Sequence, residues 1–239
     1  MDKTGTCLGQ NVSLVSNLIL FLSYLFNVSM IPCSRWAELT QSLRFHAELA
    51  HYGSVPTEFR MLNRGSPVQI GFANQFKAPQ TCLDIFHQQL EDSPFGGTPL
   101  CRHIREITNH VSRRAEALRQ AGQLACVVIA TDGEATDGNL ADAMRPLKNL
   151  PVWIVVRLCT NDDRVVKYWS EIDSELELSM DVLDDFQGEA MEIYKHNPWL
   201  TYGEPLHRMR EFGVHVKEVD FLDEKKCELE QIRILSHVM

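Results

Sequence analysis

Leu124–Asn139 reads LACVVIATDGEATDGN and carries an uncharged apolar run straight into an acidic turn. The seven residues Leu124–Ala130 hold no charge and are mostly apolar, which suits a strand covered on both faces in a parallel sheet. Asp132 follows where that strand ends. Ligands of open α/β sheets collect beyond the carboxyl ends of the strands, so Asp132 is a candidate metal ligand or catalytic acid. Asp132-Gly133 and Asp137-Gly138 also read simply as turns.

Towards the C-terminus, Leu140–Leu147 reads as a short helix and Val152–Cys159 (VWIVVRLC) as a second buried strand. Thr160–Asp163 closes that strand with carboxylates able to cap a helix over Arg164–Ile172. Glu171–Asp185 reads as loop and short strand, Gln187–Tyr194 as a helical turn or two, and Pro205–Phe212 as a helix. Val214–Val219 alternates like a strand, and Glu224–His237 has the spacing of a closing amphipathic helix. The acidic pairs Asp162-Asp163 and Asp184-Asp185 read as caps or solvated loops, and Asn197–Pro205 as a packed connector.

Towards the N-terminus, Ile104, Ile107, Val111, Ala115 and Leu118 predict one long helix over Leu100–Ala121. Ser93–Pro99 breaks the chain before it, and Thr81–Glu91 reads as another helix. Thr57–Asn63 and Pro67–Phe72 form a pair of short strands, and Arg35–His51 a helix with Ser34 as N-cap and Gly53 as stop. Strands alternating with helices predict an α/β fold with a doubly wound, mostly parallel sheet flanked by helices.

Composition narrows the function. The 239 residues are 44% apolar and 23% charged, ordinary for a globular domain, so two independent domains are not required. A net charge of -9 without an extended basic run argues against nucleic acid as a partner. Seven scattered cysteines with no C-x-x-C pair read as reduced thiols of an intracellular, cytoplasmic protein. Nine histidines without H-x-x-x-H spacing give a zinc site little support, and the four tryptophans read as packing.

The N-terminus is anomalous, and residues 1–34 are divided here from a domain over 35–239. No charged residue occurs from Thr4 to Ser34, and Leu14–Val28 (LVSNLILFLSYLFNV) is strongly apolar. Its flanks do not make a signal peptide, and it reaches the length of a membrane span only by counting several Ser and Asn residues. A membrane anchor through Leu14–Val28 is the minority reading; interruption of an otherwise continuous domain is favoured. Asn11-Val12-Ser13 and Asn27-Val28-Ser29 match a glycosylation pattern short enough to arise by chance.

Three turns rich in small residues hold oxygen ligands: Asp2-Lys3-Thr4-Gly5-Thr6, Gly96-Gly97-Thr98 and Thr131-Asp132-Gly133. Together they resemble the metal-ion-dependent adhesion site (MIDAS) of von Willebrand factor A domains. In that family an Asp-x-Ser-x-Ser loop, a threonine from a second loop and an aspartate after a later strand surround one divalent cation. The resemblance implies Asp2, Thr4 and Thr6 as the first element, with threonine for both serines, Thr98 as the second and Asp132 as the third. It covers about residues 35 to 220 plus the N-terminal motif. Mg²⁺, with Mn²⁺ or Ca²⁺ as alternatives, accepts such hard oxygen donors. The implied function is non-enzymatic: a protein partner supplies an Asp or Glu to the remaining coordination position.

Two departures stand out. Only Met1 precedes Asp2, where the family has a central strand, and 28 residues separate Thr6 from Arg35. Removing Cys7–Ser34 restores the family's loop-to-helix spacing, which points to a shortened or wrongly delimited domain with translated non-coding sequence; alternatively Leu14–Val28 supplies a substitute strand. A metal-independent interaction domain is a competing reading. Another is phosphoryl transfer to Asp2, since DKTGT matches the P-type ATPase loop, but the accompanying Gly-Asp-Gly-x-x-Asp motif is missing. Sequencing the transcript tests the interruption: an upstream apolar strand joined to DKTGT without the insert is expected, and an unchanged reading frame sinks it.

Overall fold

A computed structural model describes residues 5–8, 30–72, 79–160, 162–176, 178–214 and 216–238. The backbone of Gly5–Leu8 (β1) pairs antiparallel with Met30–Cys33 (β2), and helix α1 follows over Arg35–Tyr52. Ser34 caps α1 as expected, its hydroxyl accepting the amide of Ala37 at 3.2 Å. Leu14–Val28 and both glycosylation patterns lie outside the described residues. Among the described residues no helix is long and apolar enough to cross a membrane.

The strand pair is Thr57–Phe59 (β3) against Val68–Ile70 (β4), followed by helix α2 over Pro79–Glu91. Val68 and Ile70 face Ala47 and Ala50 of α1 and Leu83, Phe86 and Leu90 of α2, a small apolar core of their own. The predicted long helix is two: α3 (Leu100–Ser112) and α4 (Ala115–Gln120). The hydroxyls of Thr108 and Ser112 bond back to the carbonyls of Ile104 and Thr108, competition that weakens a helix end, and the break falls at Arg113-Arg114.

Among the described residues the main sheet has three parallel strands in the order β5 (Ala125–Thr131), β6 (Val152–Leu158) and β7 (Met180–Leu183). Helix α5 (Leu140–Met144) with a 3₁₀ turn joins β5 to β6, and α6 (Asp163–Leu176) joins β6 to β7. One sheet face, Val127, Ile129, Ile154 and Val156, packs on Leu100 and Ile104 of α3, Leu140 and Met144 of α5 and Trp169 of α6. Both crossovers cover that face. The described chain is therefore a mixed α/β fold with a small parallel sheet flanked by helices.

The rest comprises α7 (Phe186–His196), α8 (Glu204–Glu211), α9 (Lys217–Glu224) and α10 (Leu229–Val238), with a core of Ile193, Tyr202, Leu206, Leu222 and Leu235. Two expectations fail here. Val214–Val219 is no strand: Val219 and Leu222, three apart on α9, turn together into this core, so helical burial overrides the local alternation. Glu224–His237 is not one helix either. The Asn197 amide donates to the carbonyls of Leu222 and Lys225 while its oxygen accepts the amide of Cys227, which holds the chain in a turn between α9 and α10.

The opposite sheet face is organised by charge. Every residue of β6 is buried, Arg157 included, and its guanidinium meets Glu211 of α8 at 2.7 Å and Glu38 of α1 at 2.6 Å. Glu211 also accepts from Ser42 at 2.8 Å and Arg208 at 2.7 Å and lies 3.3 Å from His46. The ring of Phe212, just past α8, stacks on His46 with centroids 5.3 Å apart. Burial alone would raise the Glu211 pKa, but bonds from His207 and His46 and the charge of Arg208 hold it well below 4.5.

Replacing Glu211 by Gln is expected to cost about 3–5 kcal/mol in urea unfolding, because Arg157 loses a buried counter-charge. Glu175→Gln, which removes an exposed partner of Arg145, should cost under about 1 kcal/mol. With its folded pKa depressed, Glu211 contributes fully above its unfolded value, and that contribution disappears as pH falls towards the folded one; Glu211→Gln should flatten this acid limb.

Candidate functional site

The rim at the carboxyl end of β5 is built from two loops. Thr131 ends the strand with its hydroxyl bonded locally to Gly133, at 3.3 Å from the amide and 3.2 Å from the carbonyl. Asp132 follows and is exposed. Asn139 closes the loop as N-cap of α5, accepting the amide of Asp142 at 3.1 Å.

The second loop, Ser93–Pro99, is locked onto the first. Thr98 donates its amide to the Thr136 hydroxyl at 2.9 Å, and Thr136 returns its own amide to the Thr98 carbonyl at 2.9 Å. Gly96 holds a positive φ of 84°, while a Cβ on Gly97 would lie 2.8 Å from the Thr136 hydroxyl. The Asn63 amide, reaching from the β3–β4 connection, donates to the carbonyls of Phe95 and Gly97 at 2.6 and 2.7 Å. The two glycines are thus read correctly as a turn, with a steric reason added by the neighbouring loop.

Asp137 completes the lock. Helix α3 starts after Pro99, which offers no side-chain cap, so its first amides need another acceptor. The Asp137 carboxylate takes those of Cys101 and Arg102, both at 2.9 Å. Desolvation pulls its pKa upward, yet the Arg102 and Cys101 amides outweigh that and hold it below its ordinary value. The same carboxylate, after burial, helps push the Cys101 thiol upward.

Of the five expected ligands, Thr98 and Asp132 stand in these two joined loops. Thr6 lies in β1 opposite Pro32, and Asp2 and Thr4 lie outside the described residues. No group of three or more His, Cys, Asp or Glu side chains among the described residues could hold a metal ion; a set of two carboxylates and three hydroxyls is of another kind. The lock is made by the main-chain amide and carbonyl of Thr98.

Sequence reasoning missed Asn63, Thr136 and Asp137 as builders of the rim. Asp137-Gly138 carried a visible turn signal, but its capping of a helix that precedes it by a whole strand has no local signature. The acidic pairs behave as expected: Asp162 accepts the amide of Arg164 at 3.1 Å and Asp185 that of Gly188 at 2.7 Å. Comparison with protein-family models, curated proteins and solved structures finds no match.

Substituting Asp137 by Ala should lower stability by about 0.5–2 kcal/mol, the usual cost of a lost N-cap. Hydrogen exchange is the sharper measurement, because protection should fall first at the amides of Cys101 and Arg102 and at Thr98, while the amides of β6 keep theirs.

Proposed function

We propose that the chain is a non-enzymatic protein-interaction module on the plan of von Willebrand factor A domains, binding a divalent cation at the β5 rim. The observation that carries this reading is the reciprocal Thr98–Thr136 lock, since it joins two of the three expected ligand loops. Asp132 would hold the cation as a carboxylate and Thr98 as a hydroxyl, with Asp2, Thr4 and Thr6 completing the set. Mg²⁺ suits such donors and retains waters, with Mn²⁺ or Ca²⁺ as substitutes. The bound cation supplies a Lewis-acidic position for an Asp or Glu of a protein partner.

Electrostatics favour a role for the ion in association. The chain carries a net charge of -9, so an acidic partner is repelled until a cation reverses the local field. In this reading the sheet is doubly wound, with a further strand beyond β5; among the described residues β5 pairs with β6 alone. Five described cysteines are free thiols, which supports an intracellular setting. A metal-independent interaction domain is the second reading, favoured by the use of Thr136, Asp137 and Asn139 as internal caps.

Calorimetric titration with Mg²⁺, repeated with Mn²⁺ and Ca²⁺, tests the choice. The wild-type chain should bind, Asp132→Ala should weaken binding at least about tenfold, and Thr98→Ala should weaken it too. A wild-type chain that takes up none of the three ions, or an Asp132→Ala variant that binds as well, overturns the metal reading.

A further inference from the structure

Phe95 is the one aromatic residue of the two rim loops, Ser93–Pro99 and Asp132–Asn139, and it is 58% exposed. An exposed phenylalanine is ordinary by itself; what sets this one apart is how its backbone is held. The Asn63 amide donates to the carbonyls of Phe95 and Gly97, and the Arg64 guanidinium to those of Asp92 and Ser93 at 3.0 and 2.8 Å. Arg64 also pairs with the Asp92 carboxylate at 2.9 Å and lies over the Phe95 ring, 5.4 Å from its centroid. Two neighbouring residues thus grip four carbonyls of the loop and its approach. A ring on so constrained a segment loses little freedom when another surface covers it, which is the property of an interface anchor.

The surroundings say what kind of surface fits. Arg102 and Arg105, both exposed, stand at the start of α3, immediately after the loop. Arg102 reaches back at 3.3 Å to the carbonyl of Leu62, next to the two residues that grip Phe95. The carboxylates of this region are already engaged: Asp92 by Arg64, Glu106 by Arg60, and Asp137 by the amides of Cys101 and Arg102. Neither Arg102 nor Arg105 pairs with a carboxylate among the described residues, in a chain whose net charge is -9. An acidic ligand is therefore drawn to this side of a molecule that repels it overall.

We propose that the Ser93–Pro99 loop docks an acidic segment of a partner protein, with an apolar side chain of that segment packed on Phe95 and one of its carboxylates seated at the rim. The carboxylate's seat rests on the cation reading given above; the contact on Phe95 does not. Three positions separate Phe95 from Thr98, at most about 10 Å of chain. An extended partner therefore places its apolar residue within about three positions of its Asp or Glu. Phe95 sets which acidic segments are accepted, since a carboxylate alone is offered by every protein surface.

Random linear peptides displayed on phage and panned on the full chain in Mg²⁺ test this. Enriched peptides should carry an Asp or Glu with an aromatic or large aliphatic residue within about three positions. A synthetic peptide of the enriched sequence should bind Phe95→Ser at least about tenfold more weakly than the wild-type chain. The variant should unfold at the wild-type temperature, because the ring is largely outside the core, so a loss of binding is not a loss of fold. No enrichment, enrichment of acidic residues without the apolar one, or equal binding to Phe95→Ser overturns the proposal. Repeating the measurement on Asp132→Ala and in EDTA separates it from the cation reading. Binding that survives both changes but falls with Phe95→Ser overturns the cation seat and upholds docking on Phe95, whereas binding lost in both but unchanged in Phe95→Ser does the reverse.

Discussion

A guanidinium inside a wholly buried strand must be neutralised, and that requirement at Arg157 organises the molecule. Apolar burial on the other sheet face is non-directional: Leu140, Met144 and Trp169 gain from covering Ile154 and Val156 in many orientations. Charge pairing is less forgiving, because a buried ion is tolerated only with close partners whose remaining bonds are also satisfied. Glu211 and Glu38 meet that condition from two helices far apart in sequence, and Ser42, His46 and Arg208 fill the remaining positions on Glu211. Helices α1 and α8 are thereby fixed over the sheet, and α1 carries the β3–β4 pair and α2 with it.

The rim divides its polar groups between support and exposure. Thr136, Asp137 and Asn139 are spent on backbone amides that would otherwise go unpaired at the starts of α3 and α5 and in the Gly96–Thr98 turn. Asp132, in the same loop, is exposed to solvent. The loop that carries Asp132 is thus braced on both sides, by Thr131 bonded to Gly133 and by Thr136, Asp137 and Asn139 bonded to backbone amides.

Where one periodicity dominated, the sequence was readable. VWIVVRL is a strand buried along its whole length, whereas ACVVIAT, expected to be covered on both faces, is a strand that buries Val127 and Ile129 on one face and leaves Cys126 and Val128 exposed on the other; α1 begins at the cap expected of Ser34. The alternation at Val214–Val219 misled because burial of Val219 and Leu222 against α10 decides the conformation, and that partner is invisible locally. Leu100–Ala121 misled because its apolar spacing persists through a break set by hydroxyl back-bonding. In the candidate site, the Gly-Gly-Thr and Thr-Asp-Gly turns were legible from composition. Their joining was not, since Asp137 and Thr136 act on residues some 35 positions earlier, and the Asn63 that braces Phe95 and Gly97 acts on residues just over 30 positions later. Arg157 likewise looked like one more member of a buried strand until its two counter-charges were placed.

The close approach of Gly97 to the Thr136 hydroxyl couples two positions that lie apart in the chain. A homologue that gained a methyl at 97 would have to surrender bulk at 136, and with it the hydroxyl that receives the amide of residue 98. Positions 97 and 136 should therefore drift together across any lineage, leaving a paired signature by which kin of this chain are recognisable even where the remaining residues have diverged.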